Sequence, residues 1–252
     1  MFGFTGWAEP TAPQGQGQGQ AQGRQQLGGG PQAGCGRYLV LPRELTVKGG
    51  GLHIAPVPET AVLRVAGSTT VGTVDSEDAA TGAETTSQLV GGSHVEIEIV
   101  CNRTATTAAA ATSRSSWPSA GKVALRTLAS ADGAHFTEVG WDFGRPAEAL
   151  YVNHSRCCAN ASAIVQRALT SEPLSGEQLR LRVFVDGGMI EAFAEGVVIT
   201  ALLDPDSSRA GGGPPEGRVS SVCSTAAGMR CSVQSFQLAL KVDDEATRPL
   251  LS

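Results

Sequence analysis

Two acids, Asp186 and Glu191, stand on either side of a Gly187-Gly188 pair in LRLRVFVDGGMIEAFAEG, the segment from Leu179 to Gly196. Two carboxylates at short range are what a glycosidase needs, with one as general acid and the other as nucleophile or base about 5 to 9.5 Å away. If the glycines form a two-residue turn, Asp186 faces Met189, Phe184 faces Glu191 and Arg182 faces Phe193. Asp186 and Glu191 are then diagonal neighbours on one face, with Cβ atoms about 7 Å apart. The distance permits chemistry. A catalytic pair also requires a concave, largely dry pocket that raises the acid's pKa, and one hairpin surface does not supply it. Arg182 lies diagonal to Glu191 and is expected to pair with it, which would favour the ionised carboxylate. The two acids therefore read as part of a hairpin rather than as acid and nucleophile.

The opposite face of that hairpin carries Leu181, Val183 and Val185 with Ile190, Ala192 and Ala194. It must point into a core, and a one-residue slip would turn the whole set towards water, so the register is well determined. Other short runs show the same period-two pattern and are bounded by Gly, Pro, Asn, Asp or Ser: YLVLPREL, LHIAPVPETAVLRV, HVEIEIVC, KVALRTLAS, FTEVGWDF, ALYVNHS, VVITALLD, RVSSVCS and VQSFQLALKV. A helical stripe is weak throughout, with Ala161 to Leu169 the one stretch that could form a short helix. The pattern predicts an all-β chain, an antiparallel two-sheet β-sandwich, with a closed barrel as the alternative. Asp75 to Ser93, Thr104 to Ala120 and Pro205 to Gly217 read as loops. Residues 14–36 form a low-complexity Gln/Gly insert that cannot bury enough apolar surface to offset the entropy of ordering.

The remaining chemistry-bearing residues are dispersed. His53, His94, His135 and His154 stand far apart and pair with no cysteine at zinc-site spacing, so no metal site is expected. No glycine-rich run follows a strand and opens a helix, so no phosphate cradle and no cofactor is expected either. Trp7, Trp117 and Trp141 could stack on a sugar, but without an aromatic cluster they read as packing residues. Charged residues make up 17% of the chain and the net charge is −5, without the basic face of a nucleic-acid binder. No apolar run approaches the roughly 20 residues of a spanning helix. Cys35, Cys101, Cys157, Cys158, Cys223 and Cys231 form an even set. Cys223 and Cys231 flank STAAGMR in what reads as a hairpin, so a cross-strand disulfide between them is expected. Asn102, Asn153 and Asn160 each begin an Asn-x-Ser/Thr acceptor for N-glycosylation. No secretion signal follows Met1, yet acceptors and cysteines together suit an exported protein whose N-terminal portion is missing.

Several of these strings resemble glycoside hydrolase family 32, the invertases, fructan hydrolases and fructosyltransferases. The run LRLRVFVDGGMIEAFAEGVVITALLDP resembles the family's signature near its C-terminus, with Asp186, Glu191 and Phe193 at the matching positions. LVLPRELTVKGGGLHIAPVPETAVLRV resembles its interdomain linker, with Pro42, Arg43 and Glu44 in the Leu-Pro-Arg-Glu-Leu string. MFGFTGWAE resembles the last strand of the family's five-bladed catalytic propeller. The resemblance implies a propeller remnant at 1–13, linker strands at 37–62 and a C-terminal sandwich of the concanavalin/galectin-like jelly-roll kind at 63–252. The family's catalytic Asp, Asp and Glu lie in Asn-Asp-Pro-Asn, Arg-Asp-Pro and Glu-Cys strings, and none of these occurs here. Asp204-Pro205 lacks the preceding Arg or Asn. Two departures lie inside the sandwich: Asn153 where the family often has Asp, and Gly187 to Met189 where it more often has His-Ser or Arg-Ser.

The resemblance thus implies no catalytic residue in this chain. It implies a partner propeller in cis in a parent enzyme that is secreted or vacuolar, or else a homodimer, with a structural role for the sandwich. A lectin-like or adhesive β-sandwich that binds carbohydrate by itself is the alternative.

Overall fold

The computed structural model describes residues 39–75, 85–88, 92, 94–103, 117–118, 120–129, 134–144, 148–156, 165–169, 174, 178–202, 221–224 and 228–239. The expected propeller remnant, the low-complexity insert, Asn160, Trp7, Cys35, Cys157 and Cys158 lie outside the described residues. Along the chain run β1 (Arg43–Lys48), β2 (Gly51–Pro56), a 3₁₀ helix (Pro58–Leu63), β3 (Thr70–Asp75), β4 (Thr85–Gln88), β5 (His94–Arg103) and β6 (Lys122–Thr127). Then follow β7 (Thr137–Asp142), β8 (Ala149–Asn153), β9 (Val165–Leu169), β10 (Gln178–Asp186), β11 (Met189–Ala194), β12 (Val197–Leu202), β13 (Ser221–Ser224) and β14 (Met229–Gln237).

The strands pair antiparallel into a two-stranded hairpin, β1-β2, and two six-stranded sheets. Sheet I has the order β12-β11-β10-β5-β14-β3 and sheet II the order β4-β13-β6-β7-β8-β9. Both sheets end in edge strands, so the molecule is a sandwich and not a closed barrel. Between the sheets lies one apolar core. Sheet I contributes Val95, Ile97 and Ile99 from β5, Leu179 to Val185 in alternation from β10, and Ile190, Ala192 and Ala194 from β11. Facing them from sheet II are Val123, Leu125, Val139, Trp141, Leu150 and Val152. The β10-β11 register is the one the alternation dictates, with Arg182 opposite Phe193, Phe184 opposite Glu191 and Asp186 opposite Met189. Trp141 is fully buried, and Trp117 stacks on Phe143 with ring centroids 5.8 Å apart. Neither indole is offered to a sugar.

Three local expectations are corrected and one alternative left open by the sequence is decided. LHIAPVPETAVLRV is not one continuous strand, because Pro56 ends β2 and Pro58 sits in the first turn of the 3₁₀ helix that follows. The loop expected from Asp75 to Ser93 contains the short edge strand β4. Within the stretch from Ala161 to Leu169, Val165–Leu169 is the edge strand β9 rather than helix. Finally, Cys231 is bonded to Cys101 and not to Cys223. The expected Cys223 hairpin fails for a topological reason. β13 belongs to sheet II, whereas β14 pairs with β5 in sheet I, where Cys231 and Cys101 stand directly opposite.

The bond joins residues 130 apart in sequence and fastens two interior strands of sheet I, β5 and β14. Non-reducing peptide mapping should recover a Cys101-Cys231 cross-link, and Cys101→Ser/Cys231→Ser should lower stability by about 2–5 kcal/mol. Recovery of Cys231 linked to Cys223 would contradict this topology.

Candidate functional site

Alternation leaves Glu96, Arg182, Phe184, Glu191, Phe193 and Phe236 on the outer face of sheet I, where a free-standing sheet would meet water. Instead Glu96 and Glu191 are 0% and 1% exposed. Burying a carboxylate is tolerable only if it is paired and hydrogen-bonded. The partners come largely from the linker. Arg43 Nη2 lies 2.5 Å from Glu191 Oε1, and the Leu41 N–H donates to Glu191 Oε2 at 2.6 Å. Thr200 Oγ1 completes the cluster, accepting from Arg43 at 2.7 Å and donating to Glu191 at 3.2 Å. The two motifs singled out in the sequence, around Arg43 and around Glu191, meet in this ion pair. Arg182 does not pair with Glu191 as the diagonal had suggested.

Arg182 turns the other way, to Glu96 on β5, with its Nε at 3.0 Å and its Nη2 at 2.6 Å from Oε1. Arg64, just after the 3₁₀ helix, donates Nε to Oε2 and Nη2 to Oε1 of the same glutamate, both at 2.7 Å. Burial alone would push the Glu96 carboxyl up, but the hydrogen bonds from Arg64 and Arg182 outweigh it and hold the group below the ordinary carboxylate range. Each arginine also lies over an aromatic face: Arg64 over Phe236 at 3.8 Å, Arg182 over Phe184 at 5.2 Å and Arg43 over Phe193 at 5.8 Å. Phe184 and Phe193 meet edge to face with centroids 6.0 Å apart. Linker and sheet are thereby locked together.

The hairpin β1-β2 adds a backbone bond from the Ile54 N–H to the Gly196 carbonyl at 2.8 Å. Glu195 and Gly196 form the β11-β12 turn with φ of 47° and 79°. A Cβ on Gly196 would fall 2.3 Å from His53 Nδ1, so the hairpin can seat there only over glycine. Further along, Leu45, Val47 and Leu52 share one face by register and are 62%, 76% and 60% exposed.

Asp186 is not part of the buried system. It sits exposed at the end of β10, directly opposite His94, with Oδ1 2.6 Å from His94 Nδ1. The two acids of the hairpin sit in opposite environments, Glu191 buried and Asp186 exposed. Among the described residues no group of three or more His, Cys, Asp or Glu side chains could hold a metal ion.

On the outer face of sheet II lies a cleft of about 200 Å³, lined by Lys122, Arg126, Phe136, Glu138, Asn153, Ser155 and Arg156. Sequence patterning pointed to Asn153 alone. Arg126, Glu138 and Asn153 stand side by side across β6, β7 and β8. Glu138 accepts from Lys122 Nζ at 2.6 Å and the Tyr151 hydroxyl at 2.8 Å through Oε1, and from Arg126 Nε at 3.4 Å through Oε2. Burial again opposes ionisation, and the hydrogen bonds from Lys122 and Tyr151 again hold the carboxyl below its ordinary value. Asn102 is exposed at the other sheet, its Oδ1 accepting from Gln178 Nε2 at 3.2 Å.

The family is settled by a match over residues 62–213 to the model described as Glycosyl hydrolases family 32 C terminal. The chain belongs to that family. Its fold is similar to that of fructan 1-exohydrolase IIa from Cichorium intybus, with a TM-score of 0.58 and 18% identity over 78% of this chain and 40% of that one. It is also similar to exo-inulinase from Aspergillus awamori, with a TM-score of 0.53 and 17% identity over 79% of this chain and 35% of that one. The family 32 chain described here therefore spans well under half the length of these structures. No curated protein matches it.

Glu96 and Glu138, whose carboxyls are both held below the ordinary value, couple stability to pH with the same sign. A carboxyl whose pKa is depressed in the folded state contributes stability that is present above its unfolded pKa and lost as pH falls through the folded one. Unfolding titrations should show stability falling steeply below about pH 4.5, with a slope reduced in Glu96→Gln and Glu138→Gln. An unchanged slope in both variants would contradict the two clusters.

Proposed function

We propose that this chain is the β-sandwich module of a family 32 hydrolase, and that it braces the catalytic domain of the parent enzyme rather than cutting glycosidic bonds. The observation that carries this is the fate of Glu191. A general acid or nucleophile must reach substrate, whereas this carboxylate is buried under Leu41, Arg43 and Thr200. The clamp fixes the linker to the sandwich through Leu41, Arg43 and Arg64. The parent reaction is hydrolysis of sucrose or a fructan. The Cys101-Cys231 bond and the acceptor at Asn102 favour a secreted or vacuolar setting for it.

The face of β1-β2 that carries Leu45, Val47 and Leu52 is the surface we assign to the catalytic domain in cis. Apolar side chains grouped on an exposed hairpin are the usual mark of an interface. Incubated with sucrose or inulin, the purified chain should release no fructose, and release at enzyme-like rates would overturn the proposal. On sizing chromatography the chain should self-associate, and Leu45→Glu/Val47→Glu should shift it towards monomer. A monodisperse monomer before substitution would remove the hairpin face from the argument.

A further inference from the structure

The cleft on the outer face of sheet II has no part in the clamp, and its construction differs from that of the sheet I face. There the aromatics are covered by linker, whereas here Arg156 and Ser155 are exposed and Phe136 is only half-buried. Two guanidinium groups lie over the Phe136 ring, that of Arg126 4.9 Å and that of Arg156 5.4 Å from its centroid. Stacking on one ring restricts both side chains in advance, which lowers the entropy lost when they grip a ligand.

Three cations, Lys122, Arg126 and Arg156, line the cleft against one carboxylate, Glu138. Among the described residues, even counting Asp142, which stands opposite Lys122 in register, the cations outnumber the carboxylates three to two. Glu138 stays ionised for the reasons given above, and its oxygens already accept from Lys122, Tyr151 and Arg126. Asn153 accepts the Ser155 N–H through Oδ1 at 3.0 Å, which leaves its Nδ2 as the donor end of the amide. Beyond the cleft lining, Gly140 stands between Ala124 and Tyr151 in register. A Cβ there would fall 2.2 Å from the Val123 carbonyl oxygen, and its absence lets Tyr151 pack against Ala124 in the next row of the face.

From this geometry we propose that the cleft binds a compact oxyanion, a carboxylate or phosphate carried on a single sugar ring. The guanidinium of Arg156, with that of Arg126 behind it, takes the oxyanion, since planar forked donors match carboxylate and phosphate oxygens. Phe136, Asn153 and Ser155 provide an apolar face and polar groups for the ring. Size limits the occupant: about 200 Å³ is below the roughly 300–1,000 Å³ of sites for drug-sized ligands. The proposal is independent of any bracing role, because it uses the other sheet and none of the linker.

The test is a calorimetric titration at low salt, using protein from a host that does not N-glycosylate, so that no glycan on Asn153 covers the cleft. Glucose 6-phosphate and glucuronate should bind saturably, and neutral glucose should not. Arg156→Gln, an exposed position, should leave the melting temperature unchanged and weaken binding by about fivefold or more. Absence of binding by both anions, or unchanged affinity in Arg156→Gln, would overturn the proposal. Inorganic phosphate binding as tightly as glucose 6-phosphate would contradict the part assigned to the ring.

Discussion

A carboxylate with no access to water decides how this molecule is assembled. Glu191 lies on the outer face of a sheet, on the strand whose inner face forms the core, and its partner Arg43 reaches it from the linker. Glu96, two strands away, repeats the arrangement with Arg64 and Arg182. Pairs of this kind gain little over an apolar packing of the same shape, but removal of one partner strands a buried charge. The consequence is specificity. The linker has one seat on the sheet: any other placement leaves Glu191 without Arg43 and Glu96 with Arg182 alone.

That constraint separates the two faces of the sandwich. On sheet I the arginines are directed inward to carboxylates, their flat groups cover phenylalanines, and the face is closed by its own chain. On sheet II a third buried glutamate, Glu138, is satisfied in a similar way by Lys122, Arg126 and Tyr151, yet among the described residues no linker segment crosses it and a cleft lies beside it. Similar local chemistry thus gives a structural lock on one side and an accessible basic recess on the other. The spacing of Asp186 and Glu191 suggested a glycosidase pair, but their environments diverge, one held at the surface by His94 and the other sealed beneath Arg43.

Much of the fold could be read from the chain because the central strands are patterned by burial. β5, β10, β11 and β14 pack on the core through alternate residues, so their pairing face is written as period-two hydrophobicity, and the β10-β11 register follows from it. The strands that escaped, β3, β4 and β9, are three of the four sheet edges. An edge strand has one neighbour and less to bury, so TVGTVD and TTSQ carry little apolar alternation. Partner choice was harder than position. Arg43 and Glu191 were both visible as motif residues, but their meeting depends on how the linker folds back over the sheet, which no local spacing encodes. Cys231 was assigned by proximity in sequence to Cys223, whereas its partner is set by the pairing of β14 with β5 across 130 residues. The sheet II cleft had even less signal, since its lining comes from separate strands and the loops that follow them.

The central claim is that Arg43 and Glu191 act as one structural unit joining linker to sandwich. A double-mutant cycle with Arg43→Met, Glu191→Gln and the combined variant, read by chemical denaturation, tests it most directly. The account predicts strongly non-additive losses, with a coupling energy of about 1–3 kcal/mol, because either single change leaves the other charge buried alone. Losses that add to within about 0.3–0.5 kcal/mol, the range expected of independent sites, would contradict it.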